Sequence, residues 1–227
     1  MAALSCVASA ATINVDFNST DGSFGTYSGT AAAPDAGTTR NGFAIGPEAG
    51  APLLGTTTSG PLATSTGSPS TVTVSLGNFR VYEADERPAS VASALMTDFA
   101  YQQTLGIGGP DSTFAINGLN PVFTYDLYLL SQNGGYGSTA TIFTIGGTSM
   151  TTSNDGNAGV FFQNLNYVLF QGLSPNGAGI ISGTFNDARP NDNAAFNGLQ
   201  IVEIVPEPAA LSLVGLTGLL MLRRRRS

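Results

Sequence analysis

Thr71-Val72-Thr73-Val74-Ser75-Leu76 alternates polar and apolar side chains without a break. Period two marks a strand with one buried face, and it sends Val72, Val74 and Leu76 inward. Val122 to Leu130 repeats the pattern, with Phe123, Tyr125, Leu127 and Leu129 sharing a face. Shorter runs predict strands at Ile13–Asn18, Thr113–Asn117, Thr139–Ile145, Asn166–Gln171, Gly179–Phe185 and Ala195–Ile204. Turn formers stand between them: Asn117-Gly118, Asn133-Gly134-Gly135, Gly146-Gly147, Asp155-Gly156 and Asn176-Gly177. Ala89 to Gln103 departs from the pattern. Val91, Leu95 and Phe99 fall four apart there and predict one short helix covering an end of the domain. Ser19 to Ser70 is rich in Ala, Gly, Thr, Ser and Pro and reads as long surface loops with sparse strands. Residues 12–204 therefore predict a single all-β domain, an antiparallel β-sandwich of jelly-roll type.

Composition narrows the function classes. The chain has 227 residues, no His, and eight cationic side chains, all Arg, four of them at Arg223–Arg226. Everything before Arg223 carries four Arg against 15 carboxylates, a formal charge of −11. Such a body has no basic face to neutralise phosphates, so nucleic acid is not its partner. Without His it lacks the commonest general base and transition-metal ligand. Without Lys it lacks Schiff-base and P-loop chemistry. Ser nucleophiles have no His to activate them, and no G-x-S-x-G occurs. Glycan hydrolysis needs two carboxylates flanking one cleft. Glu83, Asp85, Glu86, Asp98, Asp126, Asp187 and Asp192 are available, but no motif selects a pair. The sequence reads as non-catalytic.

The two ends read as addresses. Residues 1–11 are small and apolar and end in an A-x-A pattern at Ala8-Ser9-Ala10. This is the remnant of a signal peptide, and Cys6 leaves with it. At the other end Val205-Pro206-Glu207-Pro208 precedes Ala209 to Leu222, 14 residues without a charge, closed by Arg223, Arg224, Arg225 and Arg226. As a hydrophobic helix that stretch is about 21 Å long, against a bilayer core of about 30 Å. The Arg cluster stays on the cytoplasmic side, which puts the acidic body outside.

Pro-Glu-Pro, a short apolar helix and an Arg cluster in that order over residues 205–227 resemble the PEP-CTERM sorting signal of Gram-negative bacteria. The resemblance implies an exosortase as transient processing partner, anchoring in the envelope membrane through the C-terminal helix, and cleavage near Pro206-Glu207-Pro208. Release to the cell surface or extracellular matrix would follow. Within the body, Tyr125-Asp126-Leu127-Tyr128-Leu129, Phe143-Thr144-Ile145-Gly146-Gly147 and Phe196-Asn197-Gly198-Leu199-Gln200-Ile201 are similar to the jelly-roll ectodomains found ahead of such tails. Those in turn resemble galactose-binding-like carbohydrate-binding modules.

Two kinds of binding residue follow as expectations. Calcium takes six to eight oxygen ligands, which Asp, Asn and carbonyl groups supply without His or Cys. Asp187 and Asp192 lie in one oxygen-rich loop, and Asp16 with Asn18 would share a site with the last strand, as in similar jelly rolls. The same Asx residues also serve simply as turn formers. Extracellular polysaccharide is usually met by aromatic platforms. Tyr136, in a Gly-rich loop, is the best candidate, followed by Tyr82 and Tyr101; Tyr125 and Phe161-Phe162 read as core. The Ser/Thr-rich stretch Thr56 to Thr71 suits O-linked sugars. The function expected is an exported structural or adhesive protein, with a calcium-assisted carbohydrate-binding module as the alternative and a glycan-active enzyme third.

Overall fold

The computed structural model describes residues 11–20, 26–27, 31–33, 39–47, 53–83, 95–103, 111–132, 140–153, 161–188 and 193–205. Its strands are β1 (Thr12–Ser19), β2 (Asn41–Gly46), β3 (Leu53–Thr58), β4 (Thr73–Glu83), β5 (Asp98–Gln103), β6 (Ser112–Asn117) and β7 (Thr124–Leu130). They continue with β8 (Thr141–Ile145), β9 (Thr148–Thr151), β10 (Tyr167–Leu173), β11 (Ile181–Asp187), β12 (Asn193–Phe196) and β13 (Gly198–Ile204). One sheet has five strands in the order β10-β7-β13-β1-β2. The other has eight, β12-β5-β4-β6-β11-β8-β9, with β3 also paired to β4. The chain is thus an all-β, jelly-roll-type sandwich. Its pairs are antiparallel except β1 with β2, which run parallel from Val15↔Asn41 to Phe17↔Phe43 and beyond.

The inward faces are the ones period two selects. Val72, Val74 and Leu76 are buried, as are Tyr125, Leu127 and Leu129. The core centres on Phe196. Its ring meets Phe17 at 4.9 Å, Phe143 at 5.0 Å, Phe185 at 5.2 Å and Phe114 at 5.5 Å, all edge-on. Edge-to-face pairs of this kind add stability beyond the area they bury.

Two expectations are corrected. The helix over Ala89–Gln103 is not found among the described residues. Residues 95–97 form a turn and Asp98–Gln103 is β5, hydrogen-bonded to β4 on one side and β12 on the other. Phe99-Ala100-Tyr101 also alternates, and Phe99 and Tyr101 pack with Ala195 and Tyr82 while Ala100 joins the main core. Two waiting strand edges satisfy the backbone as well as a helix would, and the aromatic residues favour the pleated surface. Residues 89–94 lie outside the described residues, as does the C-terminal hydrophobic helix. Among the described residues no helix is long and apolar enough to cross a membrane.

The second correction is that Ala195–Ile204 is two strands, not one. Asn197 separates β12 from β13 and carries the chain from one sheet to the other. It is fully buried, and each of its polar groups is used. Its N–H donates to Leu130 O (3.0 Å) and its carbonyl accepts from Phe17 N–H (2.9 Å). Its Oδ1 accepts from Gln132 N–H (2.6 Å) and its Nδ2 donates to Asp98 O (3.2 Å). Gly198 follows because a Cβ there would lie 2.3 Å from Val15 O. The Asn-Gly pair is therefore a corner rather than a hairpin turn.

Candidate functional site

Strand alternation in the eight-stranded sheet leaves its outer face to residues the core does not use. At the β5 end these are the aromatic residues Tyr82, Phe99 and Tyr101, whereas from β3 across β4, β6, β11 and β8 to β9 Thr, Ser and Gly recur. Pairing registers join Thr56 to Gly77, Gly77 to Thr113, Thr113 to Thr184, Thr184 to Thr144, and Thr144 to Ser149. One row thus crosses β3, β4, β6, β11, β8 and β9. A second row, two residues along, joins Thr58, Ser75, Ala115 and Ser182. Strand spacing sets neighbours in a row about 4.8 Å apart and the rows about 6.7 Å apart.

Neighbouring hydroxyls hold one another. Thr58 Oγ1 and Ser75 Oγ lie 2.9 Å apart, and Thr144 Oγ1 and Ser149 Oγ 2.8 Å apart. Asn117 Nδ2 donates to Ser75 Oγ at 3.3 Å. Gly77 lets the first row close up, since a Cβ there would lie 2.7 Å from Thr113 Oγ1. The result is a shallow trough of about 490 Å³ with no charged residue in its lining. Its Thr and Ser hydroxyls each offer one donor and two acceptor positions.

A second polar cluster lies under the surface of the five-stranded sheet. Both faces of β1 are covered. Ile13, Val15 and Phe17 enter the core, while Asn14 and Asp16 are buried on the other side. Asp16 Oδ2 accepts from Tyr27 N–H at 2.6 Å, and Asp16 Oδ1 has no hydrogen-bond partner among the described residues. Burial pushes the Asp16 carboxyl up to about 7; the Tyr27 hydrogen bond and Arg40 pull the other way, and Asp98 adds to the rise. The Arg40 guanidinium stands over the Tyr27 ring, 5.0 Å from its centre. Asp98 Oδ2 accepts from Ser19 N–H at 3.0 Å. These two carboxyls are structural pins for Tyr27 and Ser19. Neither lines the trough.

The sequence-derived candidates scatter. Asp16 and Asp187 are not brought together: Asp16 neighbours Asp98 at the start of β5, whereas Asp187 N–H donates to Gln102 Oε1 (3.1 Å) near its end. Asp187 Oδ1 accepts from Ala194 N–H, which pins β11 to β12. Asn18 donates to Thr26 Oγ1 at 2.9 Å. Among the described residues no three His, Cys, Asp or Glu side chains gather as a metal site requires. The groups around Asp16 are a second carboxyl, Asp98, and the Arg40 guanidinium. Tyr82 belongs to a packed aromatic group, 5.4 Å from Phe99 and 6.1 Å from Tyr101. Phe161 packs against a small second core, but Phe162 is 56% exposed, contrary to the expectation that both are buried. Val205 ends the described chain. Pro206, Glu207, Pro208, Arg223 to Arg226, Tyr136 and Asp192 lie outside the described residues.

Neither an aromatic platform nor an acidic cluster marks the trough in the sequence. Its signal was present in the polar half of each alternation, in Thr73, Ser75, Thr113, Thr144 and Thr184, and in Gly77 between Leu76 and Asn78.

No family model matches the chain, and no curated protein does. Among solved structures it is similar to an exo-β-1,3-galactanase from Phanerochaete chrysosporium with galactose, at 17% identity and a TM-score of 0.31, over 62% of this chain and 36% of that one. It is also similar to an arabinose-bound GH51 α-L-arabinofuranosidase, at 11% identity and a TM-score of 0.33, over 56% of this chain and 22% of that one. The chain thus spans little more than a third of the first protein's length and less than a quarter of the second's.

Proposed function

We propose that this is an exported, non-catalytic protein of the cell surface or extracellular matrix that holds neutral polysaccharide along its hydroxyl trough. One observation carries the ligand: six strands align an uncharged row of Thr, Ser and Gly on one outer face. A neutral glycan offers matching hydroxyls. Each such bond contributes only about 0.5–1.5 kcal/mol net, so a long polymer engaging several strands suits the face better than a short sugar. The body's charge of −11 disfavours polyanionic glycans. The tail delivers the protein: an exosortase recognises residues 205–227, membrane anchoring precedes cleavage near Pro206-Glu207-Pro208, and the body is released.

A glycan array on the full chain tests the ligand, with Thr113→Val/Thr184→Val as comparison. Valine keeps the β-branched shape and deletes the hydroxyl. Binding to neutral polysaccharide that drops several-fold in the double variant supports the reading. Equal binding, or none to any neutral polymer, sinks it. The calcium-assisted alternative differs in requiring metal, so loss of binding in EDTA would favour it. Intact mass measured on protein from the host tests the delivery: a mature chain still ending in Arg223–Arg226 excludes processing.

A further inference from the structure

A cavity of about 350 Å³ opens between the sheets where β1 begins and β13 ends. Ile13, Val72, Leu119 and Ile201 give it apolar walls, and Glu203 and Tyr125 are the titratable groups lining it. Tyr125 Oη accepts from Asn120 N–H at 3.0 Å and lies 3.4 Å from Glu203 Oε2. Among the described residues no cation lines this cavity beside the carboxylate. Burial pushes the Glu203 carboxyl above its usual range, with the Tyr125 hydrogen bond opposing, and burial pushes the Tyr125 phenol up as well.

Ala11 lies directly across from Glu203. Its carbonyl accepts from Glu203 N–H at 2.8 Å, one step beyond the Thr12↔Val202 pair. Opposite residues of an antiparallel pair place their side chains on the same face, and Ala11 and Glu203 both line the cavity. Their Cα atoms are about 5.5 Å apart in such a hydrogen-bonded pair. Cleavage directly after the A-x-A pattern Ala8-Ser9-Ala10 puts the scissile bond of a leader immediately before Ala11, one residue earlier than the 1–11 boundary read from composition.

We infer that hydrolysis of the Ala10–Ala11 bond delivers a new α-ammonium group to Glu203, so that the cavity binds the mature chain's own N-terminus. Water adds across the peptide bond, and a host signal peptidase supplies the catalysis. Ala10 leaves as a carboxylate and the Ala11 nitrogen becomes an ammonium. The amide nitrogen of the precursor carries no charge, so the ion pair exists only after maturation. It tethers the first residues of β1, which lies between β13 and β2 in its sheet. This inference rests on the export reading above.

The test uses protein exported and purified from the host. N-terminal sequencing should find Ala11 first. After reductive ¹³C-methylation, NMR should show the α-amine titrating about one unit above its free value of about 7.7–8.0. Glu203→Gln should return it to that value, while Tyr125→Phe leaves the rise in place. Glu203→Gln should also lower the melting temperature of the processed protein more than that of an uncleaved Ala10→Leu form. An ordinary α-amine pKa in the wild type, or equal destabilisation in both forms, overturns the inference alone, as does a different N-terminus. A chain retained in the cell with its leader intact overturns the export reading with it.

Discussion

The Phe196 ring stands edge-on to Phe17, with 4.9 Å between centroids and 79° between planes. Phe17 belongs to the five-stranded sheet and Phe196 to the eight-stranded one, so the contact joins the two layers at the centre of the core. Phe196→Ala removes that contact and three more ring contacts at once. The expected loss is about 3–5 kcal/mol, read as a lower urea midpoint with an unchanged slope.

The corner after Phe196 should be equally intolerant. Asn197→Ala leaves the buried Gln132 N–H without its acceptor and deletes the donor to Asp98 O. Each orphaned buried group costs about 1–3 kcal/mol. Gly198→Ala drives a Cβ into the Val15 carbonyl, which is backbone and cannot rotate aside. Both variants should melt well below wild type, and a melting temperature within a degree or two of wild type for Gly198→Ala would contradict the geometry.

Asp16 should make stability depend on pH. Its folded pKa of about 7 stands above the ordinary 3.8, so the fold favours the protonated carboxyl. This stabilisation is fully present below pH 4 and is lost as pH rises through 7. Asp16→Asn keeps an acceptor for Tyr27 N–H and removes the titration. The variant should therefore show a flatter melting curve between pH 4 and 7, with the largest gain over wild type above pH 7. Parallel curves for the two proteins would count against this role.

Gly77 should separate binding from folding at the trough. Gly77→Val adds bulk between Thr56 and Thr113, and the Thr113 hydroxyl, 2.7 Å from the new Cβ, must turn aside. The strand itself favours Val over Gly. Stability should fall by no more than about 1–3 kcal/mol, leaving the protein folded, while retention on a neutral-polysaccharide column should fall. Unchanged retention in a folded variant would show that the Gly77 part of the trough does not touch the polymer.

The strands that alternate were legible residue by residue. Thr71 to Leu76 declared which side of β4 is buried, and Val122 to Leu130 did the same for β7, because a pleated strand sends successive side chains to opposite faces. Acidity, the missing His and Lys, and the tail with its Pro-Glu-Pro and Arg cluster were equally plain, since composition and order along the chain need no partner to be read. What pairs with what was not legible. Asp98–Gln103 carries spacing that suits either a helix or a strand, and the edges of β4 and β12 decided it. Asn197 became a corner because Leu130, Phe17, Gln132 and Asp98 surround it in space. The hydroxyl row exists only across strands drawn from Thr56 to Thr184, where register set by long-range hydrogen bonds turns scattered polar residues into one continuous face.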